Sequence, residues 1–157
     1  MSGDRTALRP AGESLQPLRI LIADDHAIVR EGLKRLLGDT GEGWATVEAS
    51  TGFQALELMR RQPVDLAVVD LSMPGMSGLD LIRRIKSDFP RIGVLALGMH
   101  AEEQYAMRAF KGGATGYLTK EGACTELAAA VRTVAAGGVY VAAGLAGRAV
   151  MSPLHGR

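Results

Sequence analysis

Five short apolar runs, each followed by a stretch whose apolar residues recur at helical spacing, constrain this chain more than any other feature. The first run is LRILIA (18–23), followed by Val29, Leu33, Leu36 and Leu37 on one helical face, with Gly38 as a stop. The second spans Trp44 to Ala49, and Ala55, Leu56 and Met59 form the face behind it before Pro63. VDLAVVD (64–70) leads through a turn-rich LSMPGMSG to Leu81, Ile82, Ile85 and Phe89, ended by Pro90. RIGVLALG (91–98) precedes a helix expected from about Ala101 to Lys111 that buries Ala106, Ala109 and Phe110. ATGYL (114–118) precedes the stripe Leu127, Ala128, Val131, Val134 and Ala135, stopped by Gly137 and Gly138. Strands that are apolar throughout are buried on both faces, and right-handed crossovers between parallel strands place helices over those faces. The pattern therefore predicts an α/β fold, a doubly wound five-stranded parallel sheet with helices on both sides.

Residues 1–17, with Gly3, Pro10, Gly12 and Pro17 among polar neighbours, read as a flexible tail. The domain is expected over 18–142, and 143–157 as a C-terminal tail or the start of a linker. A length of 157 residues fits one domain, and 47% hydrophobic residues suffice for a core and exclude general disorder. Lys and Arg number 18 against 17 Asp and Glu, a net charge of +1, so the basic excess that drives binding to a phosphate backbone is missing. Direct DNA binding by this chain is not expected. The least charged stretch, Val134 to Gly147, falls short of the ~18 apolar residues a membrane helix needs. No apolar segment follows Asp4, Arg5 and Arg9 as a secretory signal would require. A lone cysteine, Cys124, makes no intramolecular disulfide, and no Cys/His spacing resembles a zinc site, so a reducing, cytoplasmic setting is expected.

In an open parallel sheet, ligands bind beyond the carboxyl ends of the strands. The first run ends in Asp24 and Asp25, the third in Asp70 and the fourth in Gly98, while Thr119 and Lys120 follow the fifth. Three carboxylates and one ammonium thus converge on one edge. Taken singly, each has an ordinary reading: an Asp pair caps the next helix, an Asp before a Pro/Gly turn shapes it, and a lysine is solvated. Their coincidence at three strand ends argues for a site instead. Gathered carboxylates repel one another unless positive charge joins them. A hard divalent cation such as Mg²⁺ meets that need with oxygen ligands and retained waters, and Lys120 suits a phosphate as a point charge. One carboxylate then becomes a candidate nucleophile toward a phosphoryl group. His26 and His100 read as first-turn surface residues, Cys124 as inert, and Met73 and Met76 as turn and packing residues. No GxGxxG, Walker A, HExxH or GxSxG occurs, which removes the main support for dinucleotide, P-loop, zincin and serine-hydrolase chemistry.

ILIADDH (20–26), VVDLSMPGMSGLDLI (68–82), VLALGMHAEEQYAMRAFKGGATGYLTKE (94–121) and the helix running into AAGGVYVAAG together resemble a response-regulator receiver domain of two-component signalling, over about residues 18–142. MH after the fourth run, and GYLTKE without a proline after the lysine, are most similar to the NarL/FixJ subfamily. The resemblance implies the CheY-like, flavodoxin-like strand order 2-1-3-4-5. It also implies Mg²⁺-dependent phosphorylation by a sensor histidine kinase or a small phosphodonor. Carried over residue by residue, it makes Asp70 the phosphoacceptor, in contact with Lys120. Asp25 would coordinate Mg²⁺ directly, Asp24 largely through water, and Ser72 through its backbone carbonyl. Tyr117 matches the family's switch aromatic, its other reading being a half-buried edge tyrosine.

Two departures from the family stand out. Gly98 occupies the position where the family has Ser or Thr, and so offers no hydroxyl to a phosphoryl oxygen. Subfamily members usually continue into a helix-turn-helix output domain, so a stand-alone receiver and a part of a longer transcriptional regulator both remain open, as does a homodimer. No enzymatic activity is expected beyond the chain's own phosphorylation and dephosphorylation. Two rivals accompany this reading: a phosphorylation-independent interaction module, kept open by Gly98, and a small Mg²⁺-dependent aspartyl phosphohydrolase. The latter is disfavoured because no DxD motif follows the first run and no cap segment encloses a substrate.

Overall fold

The computed structural model describes residues 17–99 and 103–145, so the expected N-terminal tail up to residue 16, His100 and the segment 146–157 lie outside the described residues. Strands and helices alternate as β1 (Arg19–Ala23), α1 (Ala27–Gly38), β2 (Ala45–Ala49), α2 (Gly52–Arg61), β3 (Leu66–Asp70) and α3 (Gly78–Asp88). They continue as β4 (Gly93–Gly98), α4 (Glu103–Gly112), β5 (Gly116–Thr119), α5 (Ala123–Ala135) and β6 (Tyr140–Val141), closed by a 3-10 turn at Ala143–Leu145. Every pairing is parallel and the order is β2-β1-β3-β4-β5-β6. Among the described residues no helix is long and apolar enough to cross a membrane.

The doubly wound sheet is as expected, and its count is corrected from five strands to six. β6 pairs with β5 through Gly116 with Tyr140 and Tyr117 with Val141, so β5 is interior and Tyr117 is no edge residue. Two residues are too short to display a period, and besides the Tyr140 amide, which donates to the Thr115 carbonyl at 2.9 Å, side-chain chemistry holds them. The Tyr140 hydroxyl donates to Glu126 Oε1 at 2.7 Å, and the Ala143 amide donates to the same oxygen at 2.9 Å. Burial, helped by the adjacent carboxylate, pushes the Tyr140 phenol up to about 12. Leu145 is fully buried, so the core reaches three residues past the expected boundary at 142.

Continuous apolar sequence becomes a continuous buried strand in the three central elements. Residues Ile20–Ile22, Leu66–Val69 and Val94–Leu97 are at most 1% exposed. The helices bury the expected faces, with Thr51 and Ser77 capping α2 and α3 by accepting from the Gln54 and Asp80 amides at 3.0 and 3.1 Å. The α5 face needs correction: Ala123, Leu127, Ala130, Val131 and Val134 are buried, Ala128 is half-buried and Ala135 is exposed. In a helix this rich in alanine, hydropathy does not mark one face from another. Phe110 is half-buried rather than buried, and α4 is described from Glu103.

Candidate functional site

The site stands at the carboxyl end of the sheet, where β1, β3 and β5 stop. Asp24 is the first residue beyond β1, its amide bonded to the Ala49 carbonyl at 3.1 Å, and Asp70 is the last residue of β3. Lys120 follows β5, and its amide donates to the Gly98 carbonyl at 2.9 Å. The Asp24 and Asp70 side chains are 0% exposed, and Lys120 is 18% exposed. Its Nζ lies 3.2 Å from Asp70 Oδ1 and 3.5 Å from Asp24 Oδ2. Asp25 is half-buried beside them. The four residues expected from strand-end reasoning are therefore together.

Backbone amides orient the carboxylates. The Ser72 amide donates to Asp70 Oδ1 at 3.0 Å, and the His26 amide donates to Asp24 Oδ1 at 2.8 Å. Burial pushes the Asp70 carboxyl above the usual carboxylate range, and the Asp24 charge pushes the same way. The Ser72 amide and the Lys120 ammonium pull it down without offsetting that. Buried Asp24 Oδ2, Asp25 Oδ1 and Asp70 Oδ2 accept no hydrogen bond among the described residues. Buried polar atoms of a native fold are ordinarily satisfied, so three orphaned oxygens in one pocket call for a positively charged partner. One ligand atom from each of Asp24, Asp25, His26 and Asp70 lies within 4.8 Å of the others. Hard oxygen donors at this spacing fit Mg²⁺.

Several residues near the site were not legible in advance. His26 is 62% exposed as a surface residue should be, yet its Nδ1 lies 3.2 Å from Asp25 Oδ1 and 3.4 Å from Asp24 Oδ1. Arg30 donates from Nη1 to the Asp24 carbonyl at 2.6 Å and from Nε to Glu48 Oε1 at 2.9 Å, bracing the β1 terminus from α1. A basic residue nearly two turns after an acidic pair was the available signal. Gly78 brings the start of α3 against the end of β3: a Cβ there would overlap the Asp70 carbonyl oxygen and stand 2.5 Å from Leu71 Cα.

The remaining expectations divide. Ser72 is exposed and sits on the turn behind Asp70. Met73 and Met76 pack beneath that turn at 6% and 9% exposure, and Cys124 is exposed. Tyr117 is fully buried, which excludes the half-buried reading, and its ring extends to Gly98.

The family model described as "Response regulator receiver domain" matches residues 20–132. Response regulator UvrY of Escherichia coli K12 is 34% identical over 138 residues, which are 88% of this chain and 63% of that protein. The chain thus spans under two thirds of the length of that relative. The crystal structure of a LuxR-family two-component response regulator from Aurantimonas sp. SI85-9A1 superposes with a TM-score of 0.80 at 33% identity, covering 89% of this chain and all of that one. The isolated receiver domain of RcsB from Salmonella enterica serovar Typhimurium, solved in the presence of the phosphomimetic BeF3⁻, gives 0.72 at 27% identity over 80% of this chain and 94% of that one. With the doubly wound sheet, the acidic strand ends and these likenesses in agreement, the chain belongs to the response regulator receiver domain family of two-component signalling, among relatives of the LuxR/NarL type.

Proposed function

We propose that this chain accepts a phosphoryl group on Asp70 from a sensor histidine kinase, or from a small phosphodonor, in a Mg²⁺-dependent reaction that controls a partner or output domain. The observation that carries the reading is the Asp70 carboxylate, fully buried at a strand end, with one oxygen held by the Ser72 amide and Lys120 and the other unsatisfied. That free oxygen is the nucleophile: it bonds to phosphorus as the bond to the donor's nitrogen or oxygen breaks. The leaving group departs with its electron pair, and an acyl phosphate is left on Asp70. Mg²⁺, when bound, supplies charge neutralisation for the carboxylates and the incoming phosphoryl oxygens. Asp24 and Asp25 hold that ion with Asp70 and the Ser72 carbonyl, and Lys120 draws a phosphoryl oxygen toward its ammonium. The similar RcsB receiver, solved in the presence of the phosphomimetic BeF3⁻, supports the same chemistry here. The output we assign to this control is transcriptional regulation, and the site itself turns over only its own phosphoryl group.

The test is intact-mass analysis after incubation with acetyl phosphate, with Mg²⁺ or with EDTA. Wild type is expected to gain one hydroxylamine-labile phosphoryl group with Mg²⁺ alone, and Asp70→Asn none. Equal incorporation by both proteins would refute the assignment.

A further inference from the structure

Tyr117 is the largest fully buried side chain among the described residues. In the sheet register it lies opposite Ala96, and Gly98 lies opposite Thr119, so 96, 98 and 117 point to one face. A Cβ on Gly93 or Gly116 would meet Val134 of α5, which places that helix on the other face. The Tyr117 ring therefore lies on the α3–α4 side and leans two residues toward the carboxyl end of β4, where it stops at Gly98. A Cβ on residue 98 would overlap Tyr117 Oη and stand 2.8 Å from Cζ and 3.0 Å from Cε1. Any side chain at 98 and this placement of Tyr117 exclude one another. A close-packed ring has no flexible end to give way and would have to swing out as a unit.

We propose that Gly98 is a socket for the Tyr117 phenol, so that the inward position of this ring is set by the residue at 98 and not by the chemistry at Asp70. The socket is tied to the site by the Lys120 amide on the Gly98 carbonyl. Phosphorylation then leaves the packing of the Tyr117 ring between β4 and β5 in one arrangement, with or without the phosphoryl group. Only that independence from Asp70 rests on the function proposed above; the socket does not.

The test is NMR of isotope-labelled tyrosine rings, with Tyr105, Tyr117 and Tyr140 assigned by single Tyr→Phe variants and exposure read by a soluble paramagnetic chelate. The wild-type Tyr117 signal is expected to resist broadening and to stay in place when Mg²⁺ and beryllofluoride are added, while fluorine NMR registers bound beryllofluoride. Gly98→Ala is expected to shift that signal, expose it to the chelate and lower Tm; in a Tyr117→Leu background the same substitution should leave Tm unchanged. A wild-type Tyr117 open to the chelate, its displacement by bound beryllofluoride, an unmoved signal in Gly98→Ala, or an equal Tm loss in both backgrounds would each overturn the proposal. Absence of bound beryllofluoride would refute the Asp70 reading instead, and the Gly98→Ala comparison would still decide the socket.

Discussion

Replacing Lys120 by Met keeps most of the apolar stem and removes the ammonium that, among the described residues, stands beside two fully buried carboxylates. With Nζ at 3.2 and 3.5 Å from them, each attraction is about 5 kcal/mol at an effective dielectric of ~20. Dehydrating the three charges cancels much of that gain, and removing one partner from a buried ion pair costs about 3–5 kcal/mol in measured cases. The 18% exposure of Lys120 lets some water screen the site, which puts the expected loss at the lower end, about 3 kcal/mol. For a domain of this size that is about 10 °C in Tm. The assay is urea unfolding followed by circular dichroism in EDTA, for wild type, Lys120→Met, and Lys120→Met combined with Asp70→Asn. The double variant should recover stability, because neutralising Asp70 removes a buried carboxylate that has lost its partner. Added Mg²⁺ should rescue Lys120→Met more than it stabilises wild type. A loss below about 1 kcal/mol, or no recovery in the double variant, would mean that Lys120 does not neutralise this pocket.

Mg²⁺ at about 100 times its Kd should stabilise wild type by about 2.7 kcal/mol, and Asp25→Ala should remove most of that gain in a thermal melt. An unchanged melt would take Asp25 out of the ion site. Leu145→Ala should cost about 2–4 kcal/mol by denaturant titration, as a core truncation does, whereas a negligible loss would place Leu145 outside the cooperative core. For Tyr140 the folded value is raised, from 10.0 to about 12, so its stabilising share is complete below pH 10 and is lost as pH rises through about 12. Unfolding measured across that window should show a decline in wild type that Tyr140→Phe lacks; identical curves would count against the Glu126 contact.

The sheet was legible because buried parallel strands write themselves as unbroken apolar runs, and the site was legible because strand ends share one edge. Asp24, Asp25, Asp70 and Lys120 needed only that topology. β6 was hidden because Tyr140–Val141 is placed by the Thr115 carbonyl and by Glu126 of α5, contacts that no local pattern displays. The burial of Ala130 in place of Ala135 was hidden because neighbouring alanines carry no contrast in hydropathy. Gly98 was recognised as a missing hydroxyl, which is a statement about residue type. That its empty volume is filled by Tyr117 is a statement about two strands in register, which only the folded sheet displays. Arg30 and Gly78 fall in the same class, since each acts through a backbone atom that the fold brings against it, the Asp24 and Asp70 carbonyl oxygens.

The two borders of the sheet differ in how they meet the risk that an open strand recruits another chain. On the β6 side, two residues offer too short a template for a foreign strand to add. On the β2 side a full five-residue strand is at the border, and its protection is electrostatic. Glu48 sits within it, bonded to Lys34 Nζ at 2.7 Å and Arg30 Nε at 2.9 Å, and these cations hold its carboxyl below the usual range. An incoming strand would have to dehydrate this ionic cluster before gaining any backbone pairing. Extension of the sheet between molecules is thus disfavoured at both borders, for different reasons. Substituting Glu48 with Val would turn the β2 border into an uncharged β-branched template, so turbidity on concentration should rise above that of wild type, and equal turbidity would count against an electrostatic guard at this border.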